Sequence, residues 1–167
     1  MHSLKDKISG TGGRFNIGYN DPTWWDLNFA TGFKDDKYDI NDLGFNKRND
    51  IWYYGIWGGL RKQEPWGKYF NNKLEFKYHQ DVRGDGLILF KYFKIQQKNE
   101  LKSYWSFGSE LNMQFAAYNN EDTFRDERAW IYRSETEGYG VFWFQTDRRK
   151  NVIIRPFMGY GGGEYRS

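Results

Sequence analysis

The chain reads as all-β: an antiparallel up-and-down meander of about eight long strands forming part of a transmembrane β-barrel wall. Three observations predict this. Aromatic and aliphatic residues recur at every second position in run after run, as a strand with one greasy and one polar face requires. No window keeps apolar residues at helical spacing for three turns, and the 19 glycines would weaken helices further. The connections between runs alternate between short and long, as in barrels with tight turns on one side and longer loops on the other.

The first run is Gly13 to Tyr19, with Phe15, Ile17 and Tyr19 on one face and Arg14, Asn16 and Gly18 on the other. Asn20-Asp21-Pro22 ends it, because Pro donates no ladder hydrogen bond and Asn and Asp favour turns. The second run puts Trp25, Leu27, Phe29 and Phe33 opposite Asp26, Asn28, Ala30 and Gly32. A polar, turn-prone stretch follows. The third run, IWYYGIWGGLR, is apolar on both faces apart from its glycines, so its inner side is expected to pack against protein. Glu64-Pro65-Trp66-Gly67 breaks it. The fourth alternates Leu74, Phe76 and Tyr78 with Lys73, Glu75, Lys77 and His79, and Arg83-Gly84-Asp85-Gly86 turns it. The fifth, Leu87 to Gln97, alternates more weakly and is expected to turn at Lys98-Asn99-Glu100.

The sixth run is the clearest. Trp105, Phe107, Leu111, Met113 and Phe115 share one face; Ser106, Gly108, Glu110, Asn112 and Gln114 share the other. Its length of about fourteen residues exceeds the usual five or six and suits a strand that must cross a bilayer. Residues 119–137 form a second long polar stretch. Tyr139 to Thr146, the turn Asp147-Arg148-Arg149-Lys150, and Val152 to Tyr160 complete the pattern.

Composition narrows the function classes. Aromatics supply 21% of the residues, yet mean hydropathy is −0.94. No run approaches the 18 or so apolar residues of a spanning helix. A barrel wall tolerates such a composition because only alternate residues meet lipid. Without cysteine there are no disulfides, thiolate metal sites or Cys nucleophiles. The 25 basic residues nearly balance the 22 acidic ones, which argues against a nucleic-acid partner. The N-terminus MHSLKDKISGTGG lacks the apolar segment of a signal peptide, so residues 1–167 are expected to be a single partial barrel domain within a longer chain.

Two stretches carry a family resemblance. Tyr38–Arg61 contains Asn41-Asp42-Leu43-Gly44-Phe45, then Arg48-Asn49-Asp50 opening a strand. Thr146–Tyr165 contains Thr146-Asp147-Arg148-Arg149-Lys150 before a strand ending in Gly159-Tyr160-Gly161-Gly162. Both resemble the bacterial family of unknown function numbered five-nine-one-six, common in Bacteroidetes. The resemblance implies an N-terminal carbohydrate-binding domain of family-nine type followed by a large outer-membrane β-barrel. That first domain is missing here, so carbohydrate would be a partner only through it. The resemblance also implies outer-membrane localisation, with the lipid bilayer and the remainder of the chain as partners. Asn41, Asp42, Gly44, Phe45, Arg48, Asp147 and Arg149 are the family-motif residues, of unknown role.

Catalytic chemistry is sparse. His79 stands among Lys77, Gln80 and Asp81 without convergent partners, reading as a polar-face histidine. Asp39 to Gly44 faintly resembles a calcium loop, but Leu43 stands where the fifth position needs an oxygen ligand. Glu135 and Glu137 would share one strand face and are commoner as wall carboxylates than as a glycosidase pair. The expectation is a non-enzyme without a cofactor or metal. The alternative is a soluble aromatic-rich β-sandwich or β-barrel that stacks on sugars.

The wall reading assigns faces and sides. Leu27, Phe29, Phe76, Leu111, Met113, Val141 and Trp143 are expected toward lipid, and Asp26, Asn28, Glu75, Lys77, Glu110 and Asn112 inward. Segments 35–48 and 119–137 are expected outside the cell. The turns at 20–22, 62–67, 97–102 and 147–150 are expected in the periplasm.

Overall fold

The computed structural model describes residues 10–38, 50–119 and 132–163. Its strands are β1 (Gly12–Asn20), β2 (Trp25–Lys34), β3 (Ile51–Lys62), β4 (Tyr69–Arg83), β5 (Ile88–Leu101), β6 (Ser106–Gln114), β7 (Ala117–Asn119), β8 (Tyr132–Ser134), β9 (Glu137–Gln145) and β10 (Phe157–Gly163). One antiparallel sheet has the order β1-β2-β3-β4-β5-β6-β9-β10. This is the up-and-down meander the alternation predicts, and it is one layer rather than the two stacked sheets of a sandwich. The short pair β7–β8 extends the β6–β9 hairpin. Three residues a side are too few to show a period, which is why the sequence reads this stretch as plain loop.

Residues directly opposite each other in a ladder share a face. The register therefore joins the polar positions across the sheet: Asp26↔Gly59, Gly59↔Glu75, Glu75↔Gln96, Gln96↔Glu110. It also joins the apolar ones: Ile17↔Phe29, Phe29↔Ile56, Ile56↔Tyr78, Tyr78↔Phe93, Phe93↔Met113. Phe15, Ile17, Leu27, Phe29, Trp52, Leu60, Leu74, Leu111 and Phe142 all lie exposed on the apolar face. No large side chain among the described residues is fully buried, so no second layer packs on this face to form a core.

Three expectations are corrected. Val141 and Trp143 do not share a face with Leu111 and Met113. Val141 pairs with Glu110 and Trp143 with Gly108, which puts both on the polar face and leaves Gly140, Phe142 and Phe144 on the apolar one. The turn expected at 98–100 is strand. Asn72 Nδ2 donates to Asn99 Oδ1 at 2.6 Å and Asn71 Nδ2 to Glu100 Oε2 at 2.7 Å, so these polar residues are used by cross-strand amide pairs. The chain turns at Lys102–Tyr104 instead, with Tyr104 at φ +61°. The last strand begins at Phe157, not Val152. Pro156 lacks an N–H, and residues 152–156 touch β9 through an isolated bond from Phe144 N to Pro156 O at 3.1 Å.

The tight turns follow from their residues. Asp21 Oδ1 accepts from the Thr23 and Trp24 amides at 2.6 and 3.1 Å, and these bonds hold its carboxyl below the usual range. Gly86 supplies φ +89° after Asp85, whose carboxylate takes the Leu87 amide at 3.1 Å. The Arg83 guanidinium and that amide lower the Asp85 pKa to about 2. Strands β1 and β10 are the sheet edges, and every residue in both is exposed.

Candidate functional site

The polar face is hollow. Arg14 on β1 and Lys94 on β5 line one open depression of about 580 Å³. Four strand spacings would put such residues about 19 Å apart on a flat sheet, so the sheet curls toward this face. The depression holds Asp26, Tyr53, Trp57, Glu75 and His79 between them.

Ion pairs line the hollow: Arg61 Nη2 lies 3.4 Å from Asp26 and Lys73 Nζ 2.7 Å from Glu75. His79 Nε2 lies 2.7 Å from Asp81 Oδ1. Arg61 also donates to Asn20 Oδ1 and to the Asp21 carbonyl. The densest network crosses β5, β6 and β9 around Glu110. Lys94 Nζ sits 2.8 Å from Glu110 Oε2. Asn112 Nδ2 donates to Glu110 Oε1 at 2.6 Å, and Tyr139 Oη reaches the same oxygen at 3.4 Å. Tyr92 Oη donates to Asn112 Oδ1 at 2.5 Å. An aromatic row runs beside the ions: Tyr53 to His79 at 6.5 Å, His79 to Phe90 at 5.8 Å, Phe90 to Tyr92 at 6.1 Å. Rings and paired charges together make a surface that water wets.

His79 is thus a polar-face histidine paired with Asp81 and flanked by rings. Glu135 and Glu137 do not form a strand-face pair. Glu137 opens β9 opposite Gln114, whereas Glu135 lies in the break before it. No group of three metal-ligating side chains occurs among the described residues.

Of the family-motif residues, the structure brings Asp147 and Arg149 together. Asp147 Oδ1 accepts from the Arg149 amide at 2.9 Å and from Arg149 Nε at 3.0 Å, and Oδ2 from Nη2 at 2.9 Å. This charge-assisted set holds the buried Asp147 carboxyl down to about 2 and raises the Arg149 pKa. The guanidinium lies 3.3 Å from the Tyr104 ring centroid, so Arg149 ties the β9–β10 connection to the β5–β6 turn. Asn41, Asp42, Gly44, Phe45 and Arg48 lie outside the described residues, as does the calcium-like loop. Tyr104, Tyr92 and Lys94 were not singled out by sequence. The weak alternation of the fifth run concealed the last two, although Lys94 stands two residues from Gln96 and two from Tyr92 on one face.

Comparison with known proteins gives one match. The model of the family described as Domain of unknown function (DUF5916) matches residues 2–162, nearly the whole chain. The chain belongs to that family. No curated protein and no solved structure is significantly similar to it.

Proposed function

We propose that this member of the DUF5916 family is a stretch of bacterial outer-membrane β-barrel wall, apolar face to lipid and charged face to an aqueous lumen. One observation carries the proposal: the two faces of a single curled sheet divide by polarity across its strands. Nine large apolar side chains stand exposed on one face over six strands, while the ion pairs of Arg61 with Asp26, Lys73 with Glu75 and Lys94 with Glu110 occupy the other. A soluble monomer rarely exposes so extended an apolar surface. In a bilayer the same surface is the favourable one, and polar groups are confined to the inside. Most strands of the sheet run to 9–15 residues, against the roughly 9–11 that cross a hydrocarbon core.

The lumen wall offers binding and solvation rather than catalysis. Its carboxylates Asp26, Glu75 and Glu110 are paired with Arg61, Lys73 and Lys94, and no nucleophile, base and orienting group converge on a common point among the described residues. The role in this reading is structural or transport-type, without an enzyme activity. The test is folding of the denatured full-length protein with and without phosphatidylcholine vesicles. The proposal expects strand circular dichroism, heat-modifiable gel migration and protease resistance only with lipid. A monodisperse folded protein in lipid-free buffer would overturn it, and saturable sugar binding by that soluble form would favour the carbohydrate alternative.

A further inference from the structure

At the turn end of the apolar face lies a second depression of about 510 Å³. Trp24, Trp66, Leu60, Leu74, Lys62 and Asn99 are among the residues that line it. Lys62 belongs to the apolar face, since it pairs with Asn72 at the end of the β3–β4 ladder. Its Nζ lies 5.4 Å from the Trp24 ring centroid and 5.3 Å from that of Trp66. No carboxylate among the described residues pairs with it.

A relay of amides runs underneath. Trp66 Nε1 donates to Asn72 Oδ1 at 2.6 Å, and Asn72 Nδ2 donates to Asn99 Oδ1 at 2.6 Å. The relay ends on Asn99 Nδ2, which has no acceptor although Asn99 is only 4% exposed. A buried amide donor without a partner is costly and calls for an acceptor from outside the chain. Three cations line the depression; Arg61 and Lys73 are paired with Asp26 and Glu75, which leaves Lys62 as the cation without a carboxylate among the described residues, beside an unsatisfied donor and the leucine floor.

We propose that this depression holds one glycerophospholipid. Its phosphodiester sits at Lys62 between the two indoles, an ester carbonyl accepts from Asn99 Nδ2, and an acyl chain lies over Leu60 and Leu74. The assignment rests on the reading of the apolar face as lipid-facing. Lys binds phosphate as a point charge, and indoles favour the headgroup level where apolar and wet surroundings meet. A free phosphate would satisfy Lys62 but leave the leucine floor uncovered.

The experiment uses the full-length protein, delipidated in detergent and titrated with phosphatidylglycerol, diacylglycerol or inorganic phosphate, with bound species counted by native mass spectrometry. One phosphatidylglycerol should be retained about tenfold more tightly than diacylglycerol, with inorganic phosphate not retained. Lys62→Gln and Asn99→Asp should each weaken retention about tenfold, while Lys91→Gln, a lysine stacked on Phe115 elsewhere on this face, should not. Heat-modifiable migration checks that each variant is folded; should one fail to fold, quenching of wild-type tryptophan fluorescence by brominated-chain phosphatidylglycerol, diminished in Trp66→Phe, is the alternative readout. Retention of inorganic phosphate as tight as that of the lipid, or retention unchanged in both variants, would overturn the site. Failure of the wild type to insert into vesicles would instead overturn the wall reading on which the site rests.

Discussion

Leu111→Arg separates a lipid-facing wall from an ordinary exposed surface. Leu111 is 42% exposed on the apolar face of β6. It lies six residues beyond the turn that ends at Trp105; at about 3.4 Å per residue and a tilt of about 40° it sits about 15 Å from the turn end, near the middle of a band about 25 Å tall. Arginine at that depth costs about 2–4 kcal/mol, a shift of about thirtyfold to several hundredfold in the folding equilibrium. On a water-exposed surface the same change stays within about 0.5 kcal/mol. Val141→Arg is the paired control, because Val141 lies at the same depth on the opposite face, directly across from the Glu110 carboxylate. It should cost less than about 1 kcal/mol. The assay is reversible urea unfolding of the full-length protein in short-chain phosphatidylcholine vesicles, followed by tryptophan emission. Equal small effects for both variants would refute the assignment of faces to lipid and lumen.

Other outcomes follow from the same geometry. Asp147→Asn should remove the clamp on Arg149; because the folded carboxyl titrates at about 2 against an ordinary 3.8, its contribution is full above 3.8 and lost as pH falls through about 2. The stability gap between wild type and variant should therefore be constant above that range and close below it, as measured by denaturant titration across a pH series. Gly108→Ala places a Cβ 2.7 Å from Trp143 Cζ2 and hard against the Gln97 carbonyl, and should cost about 1–3 kcal/mol in the same unfolding assay. Gly55→Ala meets nothing closer than His79 Nδ1 at 3.5 Å and should be neutral or stabilising by up to about 1 kcal/mol. Single cysteines in the full-length protein in intact cells should be labelled by an impermeant maleimide at Lys37 but not at Lys150, and the reverse pattern would invert the topology.

The strand order and most faces were legible because alternation within β1, β2, β4 and β6 is nearly strict. Lys73, Glu75, Lys77 and His79 could only share one face, and Leu74, Phe76 and Tyr78 the other. The turn at 102–104 was not legible. Asn and Glu favour turns locally, and only the cross-strand partners Asn71 and Asn72 show that Asn99 and Glu100 belong to a ladder. The polar network around Glu110 was half legible. Glu110 and Asn112 stood out in the sixth run, but Lys94 and Tyr92 lay in a run whose two faces both carry apolar residues. The clamp of Asp147 on Arg149 was visible as a motif, whereas its stacking on Tyr104 needs two turns brought together by the β6–β9 pairing.

The face of β9 shows what the alternation lacks. Tyr139, Val141 and Trp143 are apolar at odd positions, and Phe142 and Phe144 are apolar at even ones, so the strand itself does not choose an inner side. The neighbour decides. Trp143 lies over Gly108 on β6, where any side chain would collide with its ring, and Glu110 then falls opposite Val141. The same arrangement recurs in β3, another strand greasy on both faces. Tyr53 turns inward over Gly32 of β2, again at a position where a Cβ would strike the ring. At these two positions a large ring enters the concave charged face where the adjacent strand gives up its side chain, so the curled wall accommodates it without breaking its ladder. Trp143 with Gly108, and Tyr53 with Gly32, each form one unit of inward ring and paired glycine. Filling Gly108 should push Trp143 off the inner wall and disturb the Glu110 network beside it, in addition to lowering stability.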